Sequence, residues 1–261
     1  MSEELYNLPQ YYDIAFSWDI KDEIGFFGRL FRDHVPFPVK NVLEPACGTG
    51  RFLVAMPAHG YRITGYDVSP QMLGYARARV DEAGVAGDVT IVKAEMQSAR
   101  FNDTFDAALN SINSLGYLLS DEDVLSHLRC TGESLRPGGI YIVHISCAWD
   151  GPPDMDQNTW EMERDGVTVK TTWTIESESR ETLRSNHLCT MEVDDHGERE
   201  LLIDRHTLRL WVYEDLRKLI DDSGAFSLEA IYTETQEHAS VPLDSHINGE
   251  MGNLYYILKA I

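Results

Sequence analysis

The chain has 261 residues, 43% hydrophobic and 25% charged, ordinary globular usage that excludes collagen-like, low-complexity and wholly disordered chains. Its formal net charge of −21 repels the phosphates that supply most nucleic-acid affinity, so no nucleic-acid partner is expected. Cys47, Cys130, Cys147 and Cys189 form no C-x-x-C pair, the N-terminus carries no apolar leader and no apolar run nears about 18 residues, so a cytoplasmic chain with no membrane partner is expected.

Residues 1–38 are rich in aromatics, and the apolar spacing over 20–31 predicts an amphipathic helix that Pro36 and Pro38 end. Short apolar runs then alternate with helical stretches. Strands are predicted at 41–43, 62–66, 89–92, 105–109 and 140–145, with helices through 56, over 70–83 and over 121–135. Pro137-Gly138-Gly139 is read as the breaker before the fifth strand. After Gly151-Pro152-Pro153 the pattern becomes alternating, and runs at 159–164, 167–175, 183–193 and 201–211, with an Asp165-Gly166 hairpin signal, predict an antiparallel meander. A helix over 213–222, stopped by Gly224, and strands at 226–233 and 254–258 close the chain. The expected fold class is α/β, a doubly wound Rossmann-like seven-stranded sheet. Residues 1–150 and 212–261 form its domain, with 1–38 as an N-terminal cap, and 151–211 form an inserted antiparallel β-lid.

The strongest chemical signal is Val42-Leu43-Glu44-Pro45-Ala46-Cys47-Gly48-Thr49-Gly50, an apolar strand entering a glycine turn that opens a helix. Glycine lets backbone approach a ligand closely, and a helix N-terminus offers N–H groups to an anion. Asp67 ends the next strand, where an acidic side chain can take both hydroxyls of a ribose. A dinucleotide site would place a third glycine where Leu53 stands, which disfavours NAD and FAD.

These residues resemble the class I S-adenosylmethionine-dependent methyltransferases. The resemblance covers residues 40–145 and continues through Asp67-Val68-Ser69-Pro70-Gln71-Met72, Ala94-Glu95-Met96-Gln97, Asp106-Ala107-Ala108-Leu109-Asn110-Ser111 and Leu135-Arg136-Pro137-Gly138-Gly139. It implies S-adenosylmethionine as cofactor and S-adenosylhomocysteine as product. It places Glu44, Ala46, Gly48 and Gly50 at the methionine part, Asp67 and Val68 at the ribose, Glu95, Met96 and Gln97 at the adenine, and Asn110 at the sulfonium, with Met72 also among the cofactor-binding residues. No metal is required.

On the acceptor side, Tyr11-Tyr12-Asp13 and Trp18 are similar to the N-terminal aromatic segment of small-molecule methyltransferases, where a tyrosine comes near the transferred methyl. Tyr12 and His144 are the candidate catalytic residues. Trp18, Asn113, Tyr117, His206 and Trp211 are the candidate acceptor-binding residues. Residues 150–204 hold 15 acidic against 5 basic side chains, a charge that attracts a cationic amine or simply solvates the surface. The expected reaction is methyl transfer to nitrogen or oxygen of a small molecule, an amine or amino-sugar-like acceptor being favoured. The alternatives are a catalytically silent cofactor-binding regulator and a methyltransferase of protein side chains. Edge strands of the meander invite pairing into a homodimer.

Overall fold

The short apolar runs pair as strands, and the alternating ones form a sheet of their own. The computed structural model describes residues 4–148, 157–234 and 237–261, so the expected boundary at 150–151 lies outside the described residues. Three helices come first: α1 (Glu4–Asn7), α2 (Pro9–Ala15) and α3 (Lys21–His34). Then follow β1 (Asn41–Pro45), α4 (Arg51–Ala55), β2 (Arg62–Asp67), α5 (Pro70–Glu82), β3 (Val89–Lys93), β4 (Phe105–Asn110), α6 (Asp121–Ser134) and β5 (Leu135–Ser146). The antiparallel strands β6 (Gln157–Arg164), β7 (Val167–Ser179), β8 (Arg184–Asp195) and β9 (Glu198–Arg209) precede α7 (Tyr213–Ser223), β10 (Phe226–Thr233), β11 (Ser240–Val241) and β12 (Asn253–Ala260).

The main sheet has the order β11-β10-β12-β5-β4-β1-β2-β3, with β1 to β5 parallel and the last three strands antiparallel. Seven of these strands are the expected ones. The eighth, β11, has two residues, too few to leave an alternating pattern. All six residues of β4 are buried, as a parallel strand covered on both faces requires. One core packs α3, α4 and α5 against the sheet and another packs α6 and α7 against its opposite face.

Two local readings change. The Pro137-Gly138-Gly139 breaker lies inside β5, as a bulge where pairing to β4 jumps from Leu135 to Ile140. A Cβ at Gly139 would stand 2.6 Å from the Asp106 carbonyl oxygen, so only glycine lets the strands close there. The helix expected through residue 56 is the five-residue α4 followed by a 3-10 turn over Met56–His59.

The four-stranded sheet β6-β7-β8-β9 is the expected inserted meander, and its turns at Asp165-Gly166 and His196-Gly197 put both residues at positive φ, the geometry that matches strand twist in a tight hairpin. The 1–38 cap divides between the two sheets. Helix α3 joins the main core, whereas Leu5, Ile14 and Phe16 of the first helices pack with Val169, Met191 and Leu202 of the inserted sheet. Asp13 clasps the parts together. It is 1% exposed and accepts from Arg79 of α5 and from Arg164 of β6 at 2.7 Å, while Arg79 also donates to the Thr49 carbonyl in the glycine turn. Among the described residues no helix is long and apolar enough to cross a membrane.

Candidate active site

The turn after β1 is held open by backbone geometry. Gly48 (φ 51) and Gly50 (φ 77) occupy the left-handed region, which favours glycine because a Cβ would be strained. Asp67 at the end of β2 fixes the turn: one carboxylate oxygen accepts from the Gly48 N–H at 3.0 Å and the other from the Ser69 N–H at 2.9 Å. Each oxygen keeps a second lone pair for a ligand. Burial raises the Asp67 pKa, against the lowering pull of those N–H donors. Leu53 packs where a third glycine would sit, and Gly65 makes room for it: a Cβ at Gly65 would lie 2.7 Å from the Leu53 methyl and 2.9 Å from the Cys47 Cβ. Burial lifts the Cys47 thiol well above its ordinary value, so it packs rather than reacts.

A 420 Å³ cavity opens beside this turn, lined among others by Tyr6, Tyr12, Ala46, Gly48, Asp67, Val68, Met72, Glu95, Met96, Gln97, Ser114 and Tyr117. A 40 Å³ cavity adjoins it through the shared Tyr12, Ala46, Gly48 and Ser114 and is completed by Glu44 and Arg51. Glu44 is 3% exposed, and its Oε2 has no hydrogen-bond partner among the described residues. The same is true of both terminal nitrogens of Arg51. Burial raises the Glu44 pKa well above the carboxylate range, partly offset by Arg51. Unpaired buried charge is costly, so a small space with a free carboxylate oxygen and a free guanidinium edge suits a zwitterion.

Arg51 is the residue that sequence reasoning missed. The expectation gave the anion to the N-terminus of the helix; α4 has only five residues, and the unpaired guanidinium of Arg51 lines the smaller cavity beside it. The signal was present as an arginine directly after Gly50. Trp18, expected at the acceptor, lies under the Arg51 guanidinium at 4.7 Å from its ring centre and lines none of the three cavities.

Other expected residues also stand behind the wall. Gly50 caps α4 and faces Ala76 of α5, 3.1 Å from where its Cβ would be. Asn110 is 1% exposed and donates to the Pro45 carbonyl at 3.1 Å, its Oδ1 without a partner among the described residues. His144 lines none of the three cavities. It stacks on Tyr255 at 4.3 Å, accepts weakly from the Ile112 N–H at 3.4 Å and has Nε2 3.4 Å from Glu234. It therefore supports the Ile112-Asn113 loop, both residues of which have positive φ.

A third cavity of 480 Å³ lies between the inserted sheet and the ends of β5 and β12, lined by Asn113, Trp173, His187, Arg209, Trp211 and Asn253 among others. Trp211 Nε1 and Arg209 Nε are buried there without partners among the described residues. The 3-10 turn Ser114–Tyr117 separates the chambers, with Ser114 and Tyr117 on the 420 Å³ side and Asn113 and Gly116 on the other. His206 lines neither, and bonds Tyr117 behind the partition. Among the described residues no group of three or more His, Cys, Asp or Glu could hold a metal ion.

Comparison with known proteins agrees with this geometry. Residues 42–139 match the family model described as a methyltransferase domain. Over 135 residues the chain is 29% identical to the dTDP-3-amino-3,4,6-trideoxy-alpha-D-glucopyranose N,N-dimethyltransferase of Streptomyces venezuelae, covering 51% of this chain and 54% of that protein. The chain spans about half the length, or less, of the curated relatives it matches first. The crystal structure of Streptomyces venezuelae DesVI superposes with a TM-score of 0.76 at 22% identity, covering 95% of this chain and 96% of that one. That of CalS10, an amino pentose methyltransferase from Micromonospora echinaspora with S-adenosylmethionine bound, gives 0.72 at 18% identity, with 95% and 96% covered. Residues 42–139, which hold the glycine turn and the Asp67 carboxylate, thus match a methyltransferase domain, and the described chain, inserted sheet included, shares the fold of these solved structures.

Proposed function

We propose that the chain transfers a methyl group from S-adenosylmethionine to a small-molecule acceptor, an amine by preference. The carrying observation is the pair of joined cavities. Asp67 can take ribose hydroxyls and residues 94–97 a nucleobase in the larger one, while the unpaired Glu44 and Arg51 atoms of the smaller one match an α-ammonium and an α-carboxylate. S-adenosylmethionine carries all of these groups, and when bound it supplies a methyl carbon on a positively charged sulfur.

The protein's task is then alignment and exclusion of water. Tyr12 stands on the wall of both joined cavities and stacks on Phe16 at 4.4 Å, a rigid aromatic at the boundary between nucleoside and amino-acid ends. The 480 Å³ chamber, with unpaired Trp211 and Arg209 nitrogens, offers donors to hydroxyl or carbonyl groups of the acceptor, and Asn113 and Trp211 are its proposed contacts. The amine preference draws support from the acidic inserted sheet and from relatives whose printed names state action on amino sugars. A screen of amines, amino sugars, phenols and carboxylic acids with methyl-labelled cofactor tests it. Label transfer led by amines is expected; transfer only to phenols or acids overturns the preference.

A further inference from the structure

Tyr117, on the cofactor-side wall, is the outer end of a hydrogen-bonded line that runs into the inserted sheet. Its hydroxyl lies 3.2 Å from His206 Nδ1 on β9 and also meets the Tyr6 hydroxyl of α1. The other ring nitrogen of His206 lies 3.8 Å from Asp204 Oδ2, beyond hydrogen-bond reach, and has no hydrogen-bond partner among the described residues. Trp173 stacks on the imidazole at 5.2 Å and Tyr6 meets it edge-on at 5.6 Å, so the ring is clamped, and it is 7% exposed. Asp204 is 3% exposed and accepts from the backbone N–H groups of Leu5 and Arg205. β9 pairs with β8 through its backbone, His206 opposite His187.

We propose that His206 is the proton acceptor for the acceptor molecule's departing proton, reached through Tyr117, with the Asp204 carboxylate facing its other ring nitrogen. This rests on the methyltransferase reading. The acceptor's nucleophilic atom must reach past the Ser114–Tyr117 turn to the methyl on the cofactor side, where the new carbon bond forms as the methyl–sulfur bond breaks, the acceptor's N–H or O–H proton passes to the Tyr117 oxygen, and the Tyr117 proton passes to His206 Nδ1. Tyr117 ends unchanged, and the neutral imidazole becomes an imidazolium facing the Asp204 carboxylate. His206 acts through Tyr117 and is a positioning and relay residue; Tyr117 is the group at the cavity wall. The line works only with Nε2 protonated and Nδ1 free to accept from Tyr117.

The ionisable groups facing the imidazole are Asp204 on its own strand, His187 and Cys189 on β8, Tyr117, and Tyr6 from α1. Burial lowers the His206 pKa and Asp204 opposes that shift, which keeps the base neutral and competent near pH 7.

Two readouts on the full chain test the relay. In nitrogen-15 NMR of the ligand-free protein, His206 should be the Nε2–H tautomer and titrate below an ordinary histidine. Asp204→Asn should lower its midpoint further by removing the stabilising charge, and Tyr117→Phe should raise it by removing the hydrogen bond to the neutral form. In methyl transfer, His206→Gln and Tyr117→Phe should each lower kcat on the order of 10²- to 10⁴-fold, with cofactor affinity and acceptor KM within about twofold of the parent and the acid limb of the pH profile lost in the Gln variant. An Nδ1–H tautomer, or kcat of the Gln variant within about twofold of the parent, overturns the relay. Absence of methyl transfer from the parent protein overturns the activity reading instead, and the tautomer still decides the relay.

Discussion

Arg51 and Glu44 share the wall of one 40 Å³ cavity, and neither the terminal guanidinium nitrogens nor Glu44 Oε2 has a hydrogen-bond partner among the described residues. Opposite charges this buried normally pair with each other. Leaving these two buried polar groups unpaired is costly to the free protein, and on the proposed reading they form a seat for the ammonium and the carboxylate of a ligand's amino-acid end.

That seat makes a selective prediction. Arg51→Ala should weaken S-adenosylmethionine about 10- to 100-fold, the worth of charged hydrogen bonds of roughly 1.5–3 kcal/mol. It should leave 5′-methylthioadenosine, which lacks the amino-acid end, unaffected. Arg51→Lys should recover only part, because an ammonium cannot grip a carboxylate with two parallel donors. Calorimetric titration of the two ligands checks this, and equal losses for both would move Arg51 out of the seat.

Asp67 should behave differently. Its carboxylate ties the Gly48 turn and faces the larger cavity, so Asp67→Ala should weaken both ligands, each by about 10-fold or more. Unchanged affinity would remove Asp67 from the ribose position.

Gly65→Ala should lower stability by about 1–3 kcal/mol through overpacking against Leu53 and Cys47. For a chain of this size that is roughly 2–12 °C in the unfolding midpoint, read by differential scanning calorimetry. An unshifted midpoint would show that β2 and the glycine turn can separate without cost.

His127 supplies a pH prediction. It is 0% exposed, its Nδ1 lies 3.1 Å from the Met96 carbonyl and its Nε2 2.8 Å from the Tyr141 hydroxyl. A carbonyl only accepts, so Nδ1 carries the proton and Nε2 accepts from Tyr141. Burial pushes its pKa down to about 4. The unfolded state, with an ordinary histidine, binds a proton at higher pH than the folded state. Stability from this group is therefore complete above about pH 6.5 and falls as pH drops toward about 4, by on the order of 3 kcal/mol. Chemical denaturation of the parent and of His127→Gln at pH 7.5 and pH 4.5 measures it. The parent should lose more than the variant; equal losses would contradict the assignment. Because His127 holds the Met96 carbonyl at the cavity wall, the same variant should also weaken nucleoside binding.

The sequence made one wall of the larger cavity legible because its parts sit at strand ends, where position along the chain dictates position in space. Gly48, Asp67, Val68, Met72 and residues 95–97 all reach one wall. Residues off that frame were harder to read. His144 is on β5 as expected, yet its side chain packs on Tyr255 of β12, a neighbour more than a hundred residues away. Trp18 lies between α2 and α3, and its place under Arg51 depends on how those helices turn. The split of the cap between the two sheets follows from Leu5, Ile14 and Phe16 meeting Val169 and Met191, a long-range pairing that no local period encodes.

The most direct test is calorimetric titration of the full chain with S-adenosylmethionine, S-adenosylhomocysteine and NAD in parallel. Binding of the first two alone, near the micromolar range or about 8 kcal/mol, is the predicted result. Binding of NAD, or of none of the three, would contradict the reading of the joined cavities on which the proposed activity stands.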